Sequence, residues 1–150
     1  MADQSLITDE VRSHIGRTTD LRPVVVTVEA VARAVGVYGG EVPQEGIAPG
    51  FVLINLAPEG QSLRFPDLMP ASLLISNEFA LERPLQVGEA LQARSRIADI
   101  SERLGGQFGH ALYVRTDIEF FDHEGAPVGR SASTMMYYDP AGGRQQQGER

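Results

Sequence analysis

The 150-residue chain contains no cysteine and no tryptophan, and its three histidines, His14, His110 and His123, are far apart in sequence. Without cysteine there is no disulfide framework, no thiolate zinc site and no thiol nucleophile. Histidines so scattered offer no ligand spacing for a metal. Basic residues are the scarcer charge, 13 against 20 acidic, for a formal net charge of -7. That balance argues against a surface that tracks nucleic-acid phosphates. No apolar run approaches the roughly 18 residues of a membrane span, and Asp3, Asp9 and Glu10 stand where a secretory signal is basic and then apolar. The expectation is a soluble, cytoplasmic, acidic domain. A chain of this length buries roughly 70% of its unfolded surface, so it needs neither disulfide nor metal to fold.

Short helical signals come first. Over 8–16, Thr8 reads as an N-cap, Asp9 and Glu10 fill the first turn, Val11 and Ile15 form an i, i+4 apolar pair, and Gly16 stops the segment. Val24, Val25 and Val26 follow Pro23 and suit an extended strand. A second helix is capped by Thr27, carries Val28, Val31, Ala32 and Val35 on one stripe, gains an i, i+4 pair from Glu29 to Arg33, and should end near Gly36. Gly39 and Gly40 then mark a loop. From Pro49 onward, Gly50-Phe51-Val52-Leu53-Ile54-Asn55-Leu56 carries no charge. A helix that is apolar all round must be enclosed, and a buried strand is the competing reading of the same run. Residues 57–72 are loop-rich, with Leu63, Phe65, Leu68 and Met69 as anchors.

From residue 73 the apolar period changes from 3.6 to 2, predicting strands at about 74–82, 90–103, 109–121 and 127–139. Leu91, Ala93, Ser95 and Ile97 alternate with wetter neighbours, as do Leu112, Val114, Thr116, Ile118 and Phe120. Gly105-Gly106 and Asp122-His123-Glu124-Gly125 supply hairpin turns. Strands this long exceed the usual 5 or 6 residues, so the sheet should curl around a filling, and the apolar helix is the one available. The fold class expected is α+β: one domain over 1–140, with a long curled antiparallel sheet wrapped around a central apolar helix. The polar tail 141–150 should be disordered.

That architecture is the hot-dog fold, and three segments carry a family resemblance. Val28-Glu29-Ala30-Val31-Ala32-Arg33-Ala34-Val35-Gly36 resembles the first helix of MaoC-like hydratases and dehydratases. Gly46-Ile47-Ala48-Pro49-Gly50-Phe51 is similar to the start of their central helix. Arg83-Pro84-Leu85-Gln86-Val87-Gly88-Glu89 resembles their Arg-Pro-Leu-x-x-Gly-Asp turn into a long strand. The likeness is to the half that forms the N-terminus of two-domain enzymes, or the partner subunit of mycobacterial-type (3R)-hydroxyacyl dehydratases. Catalytic members carry an Asp just after the first helix and its glycine, and a His five residues later. Adding water across an enoyl thioester needs groups that activate water and exchange the α-proton. Here Val37 and Val42 occupy those places, with Tyr38, Glu41 and Glu45 as the nearby polar residues.

The resemblance therefore implies a subunit of an (R)-specific enoyl-thioester hydratase or 3-hydroxyacyl-thioester dehydratase that lacks its own catalytic pair. It would shape an acyl pocket for a thioester of CoA or acyl-carrier protein, with an Asp/His-bearing partner and without metal or cofactor. The substrate-binding candidates are Pro49, Gly50, Phe51, Phe65 and Met69, each of which also has a simple packing role; Gly50 is either a backbone N–H donor or a small residue for close approach. Two alternatives stay open. One is a hot-dog thioesterase using Glu41 or Glu45. The other is a non-catalytic homodimer that binds acyl-CoA. All three predict a dimer, since a single curled sheet exposes an edge and half a groove. Asp122-His123 and His110 read as turn and strand-end residues, and His14 as a helix-end residue favoured by the local dipole.

Overall fold

Thr27 turns the chain from strand into helix: its Oγ1 accepts a hydrogen bond from the Ala30 N–H at 3.0 Å, and helix α2 runs from Val28 to Tyr38. Ala30, Val31 and Ala34 form its buried stripe. Gly39 ends it at φ +89°, a left-handed conformation in which a side chain is strained. α2 thus continues two residues past the predicted stop at Gly36, because Gly36 keeps helical geometry while Gly39 does not. The computed structural model describes residues 5–43, 45–56, 65, 69–106 and 109–141. Most of the predicted tail 141–150, most of the predicted 57–72 loop and residues 107–108 lie outside them.

One five-stranded antiparallel sheet dominates, in the order β1-β5-β6-β7-β3. Its strands are β1 (Arg22–Val25), β3 (Ala71–Leu81), β5 (Ala90–Gly106), β6 (Gly109–Phe121) and β7 (Pro127–Tyr138). A two-stranded ribbon pairs β2 (Ile47–Ala48) with β4 (Leu85–Gln86). The predicted alternation holds on β5 and β6. Leu91, Ala93, Ser95 and Ile97 are all buried, and Phe120, Leu112 and Val114 are buried on the same face. Asp117 projects from the opposite face yet is largely buried, because the Arg115 guanidinium sits 3.0 Å from its carboxylate and that of Arg130 3.9 Å.

Three helical expectations change. Segment 8–16 holds only a single turn, α1 (Asp9–Arg12), with the Val11 N–H bonded to the Thr8 hydroxyl. Four residues cannot sustain a longer helix without packing on more than one side. Gly50–Asn55 is neither a long α-helix nor a strand but a 3₁₀ helix. Val52 and Leu53 are buried, Phe51 and Ile54 half-buried and Asn55 exposed. The sheet is therefore filled by α2 and the 3₁₀ helix together. Lastly, the predicted Glu29–Arg33 pair does not form, consistent with the few tenths of a kcal/mol such surface pairs contribute.

Two apolar clusters cover one face of the sheet. At one end α2 and the 3₁₀ helix pack Val31, Val52 and Leu53 against Leu91, Ala93 and Phe120. At the other, Val11 of α1 joins Ile97, Ile100, Leu112 and Val114, with Phe65, Met69 and Tyr137 against them. Gly129 of β7 is a close-contact point in the first cluster. A methyl placed on it would lie 2.7 Å from the Ala80 carbonyl oxygen and 3.0 Å from Leu53 Cδ1.

The Arg83-to-Glu89 turn is a clamp. Arg83 reaches Glu89 through both guanidinium nitrogens, and the Glu89 carboxylate also accepts the Gln86 N–H at 3.1 Å. Gly88 takes φ +90° and donates its N–H to the Val26 carbonyl at 2.7 Å, while the Val87 N–H bonds the Gly46 carbonyl at 2.8 Å. The turn thus ties the entry of α2 to the approach of the 3₁₀ helix. The hydrogen bonds from Arg83 hold the Glu89 carboxyl below its ordinary value of 4.5. A carboxylate with a depressed folded pKa stabilises the fold above its unfolded pKa and loses that contribution as pH falls through the folded value. Glu89→Gln is expected to lower stability by about 1–2 kcal/mol at pH 7. In parallel urea titrations the difference from wild type should shrink steadily below about pH 4.

Among the described residues no helix is long and apolar enough to cross a membrane.

Candidate functional site

The residues at the end of α2, the start of the 3₁₀ helix and the end of β3 converge. Pro49, at φ −65° and ψ 138°, turns the chain from β2 into the 3₁₀ helix. Phe51 then lies against Tyr38 of α2, ring centroids 5.3 Å apart and planes tilted by 49°. Gly50 lies against β3: a methyl on it would sit 2.7 Å from Leu81 Cδ1 and 2.9 Å from Phe79 Cε2. The structure explains Gly50 as the close-approach residue that lets the 3₁₀ helix reach β3.

The surface beside this point is apolar and open. Val37 is 69% exposed and Ile47 62%, and Tyr38 and Phe79 are each more than two-fifths exposed. Val42 is half-buried against the first core cluster. Of the two positions at which the resemblance expects an Asp and a His, Val37 thus faces solvent and Val42 packs inward. Glu41 and Glu45 are both exposed, which is how loop carboxylates sit when they only face water.

Of the five predicted binding residues, Pro49, Gly50 and Phe51 come together and Phe65 and Met69 do not join them. Phe65 packs between His14 and Tyr137, at centroid distances of 5.3 and 5.4 Å, and Met69 joins the same second cluster. That cluster lies by the beginning of β3, where Ala71 pairs with Tyr138, whereas Gly50 meets Phe79 and Leu81 near its end. Eight residues of strand separate Ala71 from Phe79, about 27 Å. Sequence reasoning missed Phe79 and Leu81. The signal was present: they share the alternation parity that places them on the covered face, with Leu81 opposite Gly129.

Each histidine has a neighbour close in sequence. His14 Nδ1 lies 2.7 Å from Arg17 Nη1, the Gly105 N–H donates to His110 Nδ1 at 2.9 Å, and exposed His123 neighbours Glu124 at 3.7 Å. Asp122 accepts the Glu124 and Ala126 N–H groups, each at 2.9 Å, which closes the turn and holds its carboxyl below the ordinary value. Among the described residues no group of His, Asp or Glu is arranged to hold a metal ion.

Among the described residues β3 is an outer strand, with β7 on one side and an open edge on the other. Leu73, Leu74, Ile75 and Phe79 stand 44–48% exposed along it. An open edge with a run of apolar side chains is a ready template for another strand.

No protein-family model matches the sequence, and no curated protein matches it. Solved structures do. The chain is similar to one from the ChsH1-ChsH2 complex of Mycobacterium tuberculosis, at 12% identity and a TM-score of 0.62, over 83% of this chain and 86% of that one. It is similar to one from the C-terminally truncated HadBC (3R-hydroxyacyl-ACP dehydratase) complex of the same organism, at 18% identity and a TM-score of 0.54, over 82% and 96%. It also matches the MaoC-like dehydratase of Rhodospirillum rubrum, at 14% identity and a TM-score of 0.50, over 83% and 92%. What is shared at these identities is the hot-dog fold.

Proposed function

We propose that this chain is the subunit without a catalytic pair in an (R)-specific enoyl-thioester hydratase or 3-hydroxyacyl-thioester dehydratase. It completes the acyl pocket of an Asp/His-bearing partner. One observation carries the reading: the end of α2, beside the 3₁₀ helix and the open β3 edge, presents Val37 to solvent and packs Val42 inward. Two of the similar structures are complexes by name, and one is a 3R-hydroxyacyl-ACP dehydratase. Both points support the reading.

The reaction adds water across the α,β-double bond of a thioester, or removes it, with hydroxyl at C3 and a proton at C2. The proton transfers need groups that titrate, and the partner supplies them. This chain contributes an apolar wall. Tyr38 and Phe51 form its aromatic part, with Val37 and Ile47 exposed beside them, and Gly50 seats the 3₁₀ helix on Phe79 and Leu81. Such a wall excludes water from an acyl chain and leaves the chemistry to the facing subunit.

Crotonyl-CoA and longer enoyl-CoA hydration, followed at the thioester absorbance, tests this with the chain alone and with an Asp/His-bearing hot-dog subunit encoded beside it. The chain alone should fall short of the pair by a factor of about 10²–10⁴, the usual contribution of acid–base groups. Robust turnover by the isolated chain sinks the proposal.

A further inference from the structure

At the opposite end of α2 from Tyr38 lies a half-open cleft of about 510 Å³, formed by β1, the start of α2 and the end of the 3₁₀ helix. Its walls include Arg22, Arg33, Thr27, Val25, Asn55 and Leu56, and among the described residues no acidic side chain lines it. This is an inversion of the local charge, since the chain as a whole carries a net charge of -7. Among the described residues neither arginine has a hydrogen bond or ion pair, and Arg33 forgoes Glu29 one turn away on its own helix. Two cations in one cleft repel, and an anion bound between them relieves that repulsion.

The rest of the cleft narrows the ligand class. Planar guanidinium groups fit anions with several oxygens, and two of them fit a diphosphate better than a single carboxylate. Thr27 Oγ1 accepts the Ala30 N–H, which leaves its O–H as a donor, and the Asn55 side chain adds an amide. Val25 and Leu56 give apolar sides, and the volume falls in the range of organic-ligand pockets rather than of a single small ion. We propose that this cleft is a binding site for an organic diphosphate of the nucleoside-diphosphate type, held by Arg22 and Arg33. The same chemistry is found at the nucleotide end of CoA and in a free nucleotide. The inference does not rest on the reaction proposed above.

Isothermal titration of the full chain at low ionic strength with ADP, CoA and inorganic pyrophosphate tests it, alongside an Arg22→Gln/Arg33→Gln variant. The variant keeps side-chain bulk at two surface positions, and its circular dichroism and melting curve verify that it folds. ADP and CoA should bind the wild type, and the variant should bind both at least roughly tenfold more weakly, with affinity falling as salt rises. CoA binding tighter than ADP assigns the site to the carrier; ADP binding as tightly as CoA, or more so, assigns it to the free nucleotide. No binding of either, binding unchanged in the variant, or binding of pyrophosphate alone overturns the proposal. Because the titration needs neither partner nor turnover, its failure is separable from failure of the hydration assay.

Discussion

Gly129→Ala should unfold the protein some 6–12 °C earlier than wild type, a loss of about 3 kcal/mol, even though it adds a single methyl group. The added carbon would lie 2.7 Å from the Ala80 carbonyl oxygen, a backbone atom of the neighbouring strand. It would also crowd Leu53 Cδ1 at 3.0 Å and Leu81 Cδ2 at 3.1 Å. The relief available is to part β3 from β7 or to push Leu53 out of a fully buried position. Gly50→Ala is the internal control. Its methyl approaches Leu81 Cδ1 and Phe79 Cε2, the far ends of side chains, and Phe79 has solvent to turn into. That variant should cost no more than about 1 kcal/mol. Thermal and urea unfolding of both proteins checks the ordering, and equal losses would show that the β3–β7 pair adapts more readily than its geometry implies.

Leu74→Lys should leave the isolated chain as stable as before, within about 0.5 kcal/mol, and abolish its assembly with the partner. Leu74 is 48% exposed on an outer strand, so the lysine ammonium reaches water in the free subunit at little cost. In a complex built on that edge the charge would be buried without a counter-ion, costing several kcal/mol and weakening Kd by about 100-fold or more. Sedimentation velocity of the mixed subunits, wild type against variant, is the measurement. Undiminished assembly by Leu74→Lys would place the interface elsewhere. Formation of a homodimer by the wild-type chain alone, lost in the variant, would favour the binding-module alternative over an obligate heteromer.

The sheet was legible in the residues because alternation over 11 or more positions has no competing explanation. Gly109–Phe121 is recovered to the residue, and β5 and β7 to within three residues at each end. The 3₁₀ helix was not legible as such. A run of uncharged residues records burial but not winding, and the choice was made by Gly50 fitting against β3, a contact set some 30 positions away in the chain. For the same reason the sequence could not show that Phe65 and Met69 pack away from Gly50 and Phe51. An apolar residue in a loop does not reveal which of two clusters it will join, and here α1 and Tyr137 claimed both. The surroundings of the arginines were equally hidden. The i, i+4 rule assigns Arg33 to Glu29, and only the fold puts Arg22 of β1 on the wall of the same cleft.

Sheet order has a last consequence, for how the chain is made. Strands β5, β6 and β7 form a meander in which each strand follows its neighbour directly. The elements around the apolar wall and the cleft all precede it: β1 pairs with residues 90–93, and β3 pairs with the stretch from Gly129 to Tyr138. On the ribosome, then, α2, the 3₁₀ helix and β3 emerge before the strands that will shelter them. The loops closed by those pairings are long, and their entropy must be overcome before any contact rewards it. The exposed apolar run Leu73 to Ile75 waits for the final strand before it gains its sheet neighbour. A partner strand on the other edge of β3 would give that segment a neighbour without waiting for β7.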